Sequence, residues 1–324
     1  MGTVIAGMDI ARMRDRMSKR ERNAMIGVVF VSVMWGLSFV GSKIAMSAGL
    51  QPFSLVMLRF LAASVFLFPL ALLTKASLKI SLRDVPWLFL IAMSRTTVYF
   101  FFELNGLKRT SAATASLIIA LIPVFTMLSE MIFHRQKPTA LQWSGTAVSL
   151  IGVWLVVGNS AEGNTLTGLL LMLCACICWV IYGEATDHLL KRLPTLTITC
   201  WQSLFSLLTL IPLCFTENVP WQSVTVEAWI AACVFLGLIC SGICYILYNY
   251  SIAIISTGRT AIFLNLNPIA GVIGSVIILH ESFTLIQAAG GLLILFSLFL
   301  VNRKAAGRSA SLDGGAALPY NDKE

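Results

Sequence analysis

Four polar side chains in this chain sit inside long apolar runs: Arg59, Arg95, Tyr99 and Glu103. Arg95, Tyr99 and Glu103 recur at four-residue intervals, so on a helix they share one face. A buried guanidinium can hold a carboxylate or another anionic group. A charge at that depth costs about 2.5–3.5 kcal/mol on insertion scales, so it should face a cavity or a partner. Arg59 has two readings, an anchor for a substrate carboxylate or one half of an ion pair. Arg59 and Glu103 fall at similar depths in their runs, and opposite charges in low dielectric attract strongly. A direct or water-bridged contact between them is therefore expected in at least one state, which leaves Arg95 to bind substrate.

Aromatic and kinking residues extend this set. Trp35, Trp179, Tyr182 and Tyr248 could wall a cavity suited to an amphipathic metabolite. Pro123 and Pro268 fall near the middle of two apolar runs, where a proline frees a carbonyl and bends a helix, a candidate hinge. Asn265 and Asn267 flank the second proline, whereas Ala120 and Ile122 flank the first. Lys43, close to the end of its run, reads as a side chain that snorkels to the interface.

Other chemistries are poorly served. The three histidines, His134, His188 and His280, lie at run ends, and no HExxH, phosphate-binding glycine loop or Ser/His/Asp set is present. An enzyme is thus disfavoured. The eight cysteines all lie in apolar runs of the second half, and Cys174, Cys176 and Cys178, two apart, do not share a helix face. No metal site and no cofactor are expected. The net charge of +8 is spread over short loops rather than gathered in a patch, which argues against nucleic acid.

The elements that must carry these residues are membrane helices. Of 324 residues, 57% are hydrophobic and 12% charged, about half the charge a soluble surface needs. The apolar residues form ten blocks, at 25–46, 54–73, 86–107, 111–132, 140–158, 166–187, 195–215, 227–249, 258–279 and 283–301. About 20 residues of helix cross a bilayer core, and lipid leaves no partner for an open strand edge. The expected fold is all-α and integral to the membrane. Pro52, Pro86 and Pro194 stand where helices begin.

With the N-terminus inside, the inner segments hold 17 Lys and Arg and the outer loops hold only Lys108 and Arg109. That bias places both termini in the cytoplasm and needs an even number of spans. Residues 1–24 form a basic cytoplasmic tail, and 303–324 a polar tail expected to be disordered.

The chain also repeats itself. Shifted by 145, residues 111–156 fall on 256–301 without a gap, and ten of the 46 positions are identical, among them Pro123/Pro268, Thr139/Thr284, Gln142/Gln287 and Gly145/Gly290. Trp35 matches Trp179 at a shift of 144. Two halves of five spans each, 25–158 and 166–302, must enter the membrane in opposite senses, as in secondary transporters built from inverted repeats.

At this level the sequence resembles the EamA-type branch of the drug/metabolite transporter superfamily. The likeness rests on Trp35-Gly36 with Lys43 behind it, Arg59-Phe60, the runs Ser111–Pro123 and Ser256–Pro268, and His280-Glu281 before Thr284, Gln287 and Gly290. The family often has Gly-Glu where His280-Glu281 stands. The first half departs further, with Arg135-Gln136. The resemblance implies a carrier, an exporter by preference, of amino acids or related small amphipathic compounds across the plasma or inner membrane. A channel or a membrane-embedded enzyme is the alternative. Glu103 and Glu184 are the carboxylates that a proton-coupled mechanism would use. Substrate identity and oligomeric state are not written in the sequence.

Overall fold

The protein is described from a computed structural model covering residues 18–312, except 134, 136, 159–164, 191, 256–259 and 261–262. Arg12, Arg14, Arg16, His134, Gln136, Lys191, Ser256 and Arg259 lie outside the described residues.

Every regular element among them is helical. Seven helices are long and apolar enough to cross a membrane: α1 (Lys19–Ser47), α2 (Pro52–Leu73), α3 (Val85–Leu107), α4 (Ala112–Phe133), α6 (Leu166–Leu190), α7 (Thr195–Cys214) and α8 (Val226–Tyr248). Three more are shorter in their apolar stretch: α5 (Ala140–Gly158), α9 (Leu266–Ile278) and α10 (Leu285–Leu312). Among the described residues, seven helices rather than the expected ten are long and apolar enough to span on length and composition. The block at 258–279 begins in residues outside the description. In α10 the apolar stretch gives way to Asn302, Arg303 and Lys304, although the helix itself continues to Leu312.

Local chemistry sets the helix starts. Ser18 and Glu21 form a reciprocal capping box that opens α1. Pro52 and Pro86 occupy first-turn positions, and Pro194 is an N-cap, where a missing N–H costs nothing. The repeated Thr-x-x-Gln motif has the same role in both copies. The Thr139 N–H donates to Gln142 Oε1 (2.9 Å) and the Gln142 N–H returns to Thr139 Oγ1 (3.3 Å). Thr284 and Gln287 do the same at 2.9 and 3.2 Å. Two positions ascribed above to internal repetition are therefore capping boxes at the starts of α5 and α10.

Several helices are interrupted at mid-length. In α4 the helix breaks at Ala120 and Leu121, and Pro123 falls in the first turn of the segment beyond. Pro268 holds the matching place in α9, just after a turn at Asn265. π-helical turns widen α3 over Met93–Val98 and α8 over Ile230–Ile243, as is frequent at functional sites.

The helices pack in a definite set of pairs. α1 lies against α8 and α9, α2 against α7 and α8, α3 against α6 and α7, α4 against α6 and α9, and α5 against α10. Small residues permit the closest approaches. A Cβ on Gly152 would lie 2.7 Å from the Gly290 carbonyl oxygen, and one on Gly290 would lie 2.7 Å from that of Gly152, so the α5–α10 contact is set by backbone meeting backbone.

Hydrogen bonds between loops define two ends of the bundle. At one, Lys108 Nζ donates to Gln51 (2.7 Å) and the Thr165 N–H to the Arg109 carbonyl (3.1 Å). At the other, Thr197 Oγ1 donates to the Ser77 carbonyl (2.7 Å) and Arg192 pairs with Asp84 (3.1 Å).

Candidate functional site

A cavity of about 310 Å³ opens between the helices. Arg59, Arg95, Tyr99 and Glu103 line it, with Trp35, Trp179 and Tyr248, Asn265 and Asn267, and both prolines, Pro123 and Pro268. Tyr182 is not in the lining; it stands behind Arg95, its ring centroid 5.7 Å from the guanidinium carbon. The lining draws on α1, α2, α3, α4, α5, α6, α8, α9 and α10.

Arg95 dominates the site. It is 4% exposed and its guanidinium is boxed by rings from three helices. Its central carbon lies 4.4 Å from the Trp179 centroid, 4.6 Å from Tyr99, 5.1 Å from Phe100 and 5.7 Å from Tyr245. Ring faces stabilise a cation without using its N–H groups. Nε and Nη1 are buried and have no hydrogen-bond partner, which is costly for a charged group. The rings brace one another. Trp35 lies 5.2–6.2 Å from Tyr248, Tyr245 and Trp179, and Trp179 lies 5.7 Å from Tyr99. Trp35 is itself fixed by its indole N–H, which donates to the Cys240 carbonyl on α8 at 3.0 Å.

Arg59 and Glu103, expected to meet directly or through water in at least one state, make no direct ion pair here. Arg59 Nε donates to Ser241 Oγ on α8, and its guanidinium carbon sits 4.8 Å from the Phe100 ring. Glu103 accepts from the Tyr99 hydroxyl at 2.8 Å. Ser241, 182 positions away in sequence, takes the arginine, and the phenol one turn away takes the carboxylate. The cavity wall thus carries two arginines and Glu103 with no ion pair joining them. Asn267 Oδ1 is also buried without a partner.

Sequence reasoning missed three contributors. Tyr245 stands three residues before Tyr248 and so on the same helical face, a signal that was there to be read. Phe100 and Ser241 gave none.

A second polar cluster lies at the end of the bundle marked by Lys108 and Gln51. Lys43 is held by specific partners there. Its Nζ donates to Glu281 Oε1 (2.7 Å) and to the Thr110 carbonyl (3.0 Å). Glu281 also accepts the first N–H groups of α4, Ala112 at 3.0 Å and Ala113 at 3.3 Å. Burial raises the Glu281 pKa, but the Lys43 hydrogen bond and these N–H groups outweigh it and hold the carboxyl below the usual glutamate value. Nearby, Glu217 caps α2, accepting from the N–H groups of Phe53 and Ser54 (both 2.8 Å) and the Ser54 hydroxyl (2.7 Å). Among the described residues no group of three His, Cys, Asp or Glu is placed to hold a metal ion.

Comparison with known proteins gives a consistent result. The family model described as the EamA-like transporter family matches residues 22–158 and again 166–303. The uncharacterized transporter YdfC of Bacillus subtilis is 25% identical over 295 residues, covering 89% of this chain and 94% of YdfC. A probable terminal-alkyne amino-acid exporter of Streptantibioticus cattleyicolor is 28% identical, covering 70% of this chain and 76% of that one. One solved crystal structure superposes with a TM-score of 0.62 at 20% identity, over 88% of this chain and 98% of the other, a likeness of fold.

Proposed function

The chain belongs to the EamA-like transporter family, and from that premise we propose that it is a secondary carrier exporting small metabolites with an anionic group, such as amino acids. It works by alternating access in the plasma or inner membrane. The observation that carries the site is Arg95, a buried cation in an aromatic box on the cavity wall, with two nitrogens, Nε and Nη1, unpaired. The rings offset only part of its desolvation, and a ligand that supplies the missing acceptors gains what the empty site lacks. In this reading Arg95 takes the substrate's anionic group and Arg59 adds positive potential. Glu103 and Tyr99 meet a donor on the substrate, and the rings hold its apolar part. The names of family and relatives point to a transporter rather than an enzyme.

The topology belongs to the same proposal: ten spans in two inverted five-helix halves, both termini cytoplasmic. Three observations support it. The family model matches twice in tandem. The helix pairs are preserved when each helix is exchanged for the one five later: α1–α9 becomes α6–α4, α1–α8 becomes α6–α3, α2–α8 becomes α7–α3, while α2–α7 and α5–α10 map onto themselves. Arg135 and His280, matched at the 145-residue shift, both adopt left-handed backbone, with φ of 51° and 54°. That conformation favours glycine, which accounts for the Gly of the Gly-Glu pattern the family often shows.

Purified protein in liposomes tests the function. Radiolabelled amino acids should show saturable uptake driven by counterflow. Flux that rises linearly with concentration and shows no exchange would instead indicate a channel.

A further inference from the structure

We propose that Lys43 and Glu281 form a one-sided lock, which holds the carrier closed at the Lys43 face and sets its resting state open toward the opposite face. The inference rests on the alternating-access reading above.

The lock joins elements distant in sequence. Glu281, on the loop between α9 and α10, binds Lys43 at the end of α1 and the first N–H groups of α4. One carboxylate thereby accepts three donors, one of them charged, and also meets the positive end of a helix. The left-handed backbone at His280 turns the chain just before it. The cavity stops short of this cluster. Its lining includes Phe39, one helical turn before Lys43, but not Lys43, Thr110 or Glu281. In the other direction it reaches Glu130, near the far end of α4, and Gln142, at the start of α5.

The sequence allows this lock at one face only. At the 145-residue shift Glu281 corresponds to Gln136, and at the 144-residue shift of the tryptophans Lys43 corresponds to Asp187. An amide and a carboxylate cannot make the ion pair that Glu281 and Lys43 make. Two halves related by repetition therefore differ at these matched positions: the opposite end has its own ion pair, Arg192–Asp84, but no counterpart of Lys43–Glu281 at the matched residues, and the equilibrium between the two access states is biased by that difference. With the Lys43 face outside, as the Lys and Arg distribution implies, the resting cavity is offered to the cytoplasm, as an exporter requires.

Ser38, in the cavity lining, serves as a reporter. A Ser38→Cys protein is treated with a membrane-impermeant thiol reagent in right-side-out and inverted vesicles, and alkylation at position 38 is read by peptide mass spectrometry. The lock predicts labelling from the Glu130 face and little from the Lys43 face. Glu281→Gln, which keeps an acceptor for the α4 N–H groups but loses the charge, and Lys43→Ala should each raise labelling from the Lys43 face roughly tenfold. The lock is refuted if neither variant does so, or if the unmutated lock already labels best from the Lys43 face. Fast, equal labelling from both faces, with the lock intact, would overturn the carrier reading itself, since it describes an open pore.

Discussion

The two polar clusters of this protein treat buried charge in opposite ways. At the Lys43 end every charge is answered: Lys43 by Glu281 and the Thr110 carbonyl, Glu281 by helix N–H groups, Glu217 by the start of α2. In the cavity Arg95 has two nitrogens without acceptors, and Arg59 and Glu103 each bond a neutral hydroxyl, of Ser241 and Tyr99, rather than one another. A satisfied cluster stabilises one arrangement of helices. An unsatisfied one is a deficit that a ligand can fill. The contrast separates residues that hold the fold from residues proposed to hold the substrate.

The largest expected effect breaks the contrast at Arg95. Arg95→Ala should lower transport by roughly 100-fold or more, about 2.7 kcal/mol, with the amount of folded protein unchanged. Removing an unpaired buried charge relieves its desolvation, which offsets the lost contacts with the rings. Initial rates in liposomes and a melting curve check both halves of the statement. At the other cluster the pattern should invert. Glu217→Ala strips three hydrogen bonds from the start of α2 and should cost roughly 2 kcal/mol of stability, seen as a lower melting temperature with substrate KM unchanged in the protein that folds.

Glu103 should fall between these cases. Glu103→Gln keeps an acceptor for the Tyr99 hydroxyl and should cost little stability, with transport lowered by about fivefold. Glu103→Ala leaves the phenol unsatisfied and should cost about 1–3 kcal/mol. Equal melting temperatures for the two variants would show that the Tyr99 bond contributes nothing.

The smallest effect concerns pH. The Glu281 carboxyl titrates below the ordinary glutamate value of 4.5. A depressed carboxyl contributes stability that is full above its unfolded pKa and is lost as pH falls through the folded one. Wild-type protein should therefore lose no more than about 1 kcal/mol from this group, which is partly solvent-screened, as pH drops below 4.5. Glu281→Gln should remove that increment and show a correspondingly shallower loss across the same range.

Much of this architecture can be read from composition and spacing. Apolar blocks mark the helices, Pro52, Pro86 and Pro194 mark starts, and four-residue spacing puts Arg95, Tyr99 and Glu103 along one wall. Pairing across the fold was not legible. Lys43 and Glu281 are 238 positions apart and Arg59 and Ser241 are 182 apart, and no local periodicity links such residues. Depth alone suggested Arg59 with Glu103, because each side chain's nearer competitor could not be weighed without the packing. The repeat held more than it first gave: Thr139/Thr284 and Gln142/Gln287 recur because each pair closes a capping box.

The central claim is that the deficit at Arg95 is the substrate site, and ligand-induced stabilisation in detergent tests it most directly. Wild type, Lys43→Ala and Arg95→Ala are melted with and without a panel of amino acids and other small carboxylates. A ligand at 100 times its Kd stabilises by about 2.7 kcal/mol, a readily measured shift. The account predicts that at least one compound stabilises wild type and Lys43→Ala alike and leaves Arg95→Ala unmoved. Equal stabilisation of Arg95→Ala by that compound would contradict it.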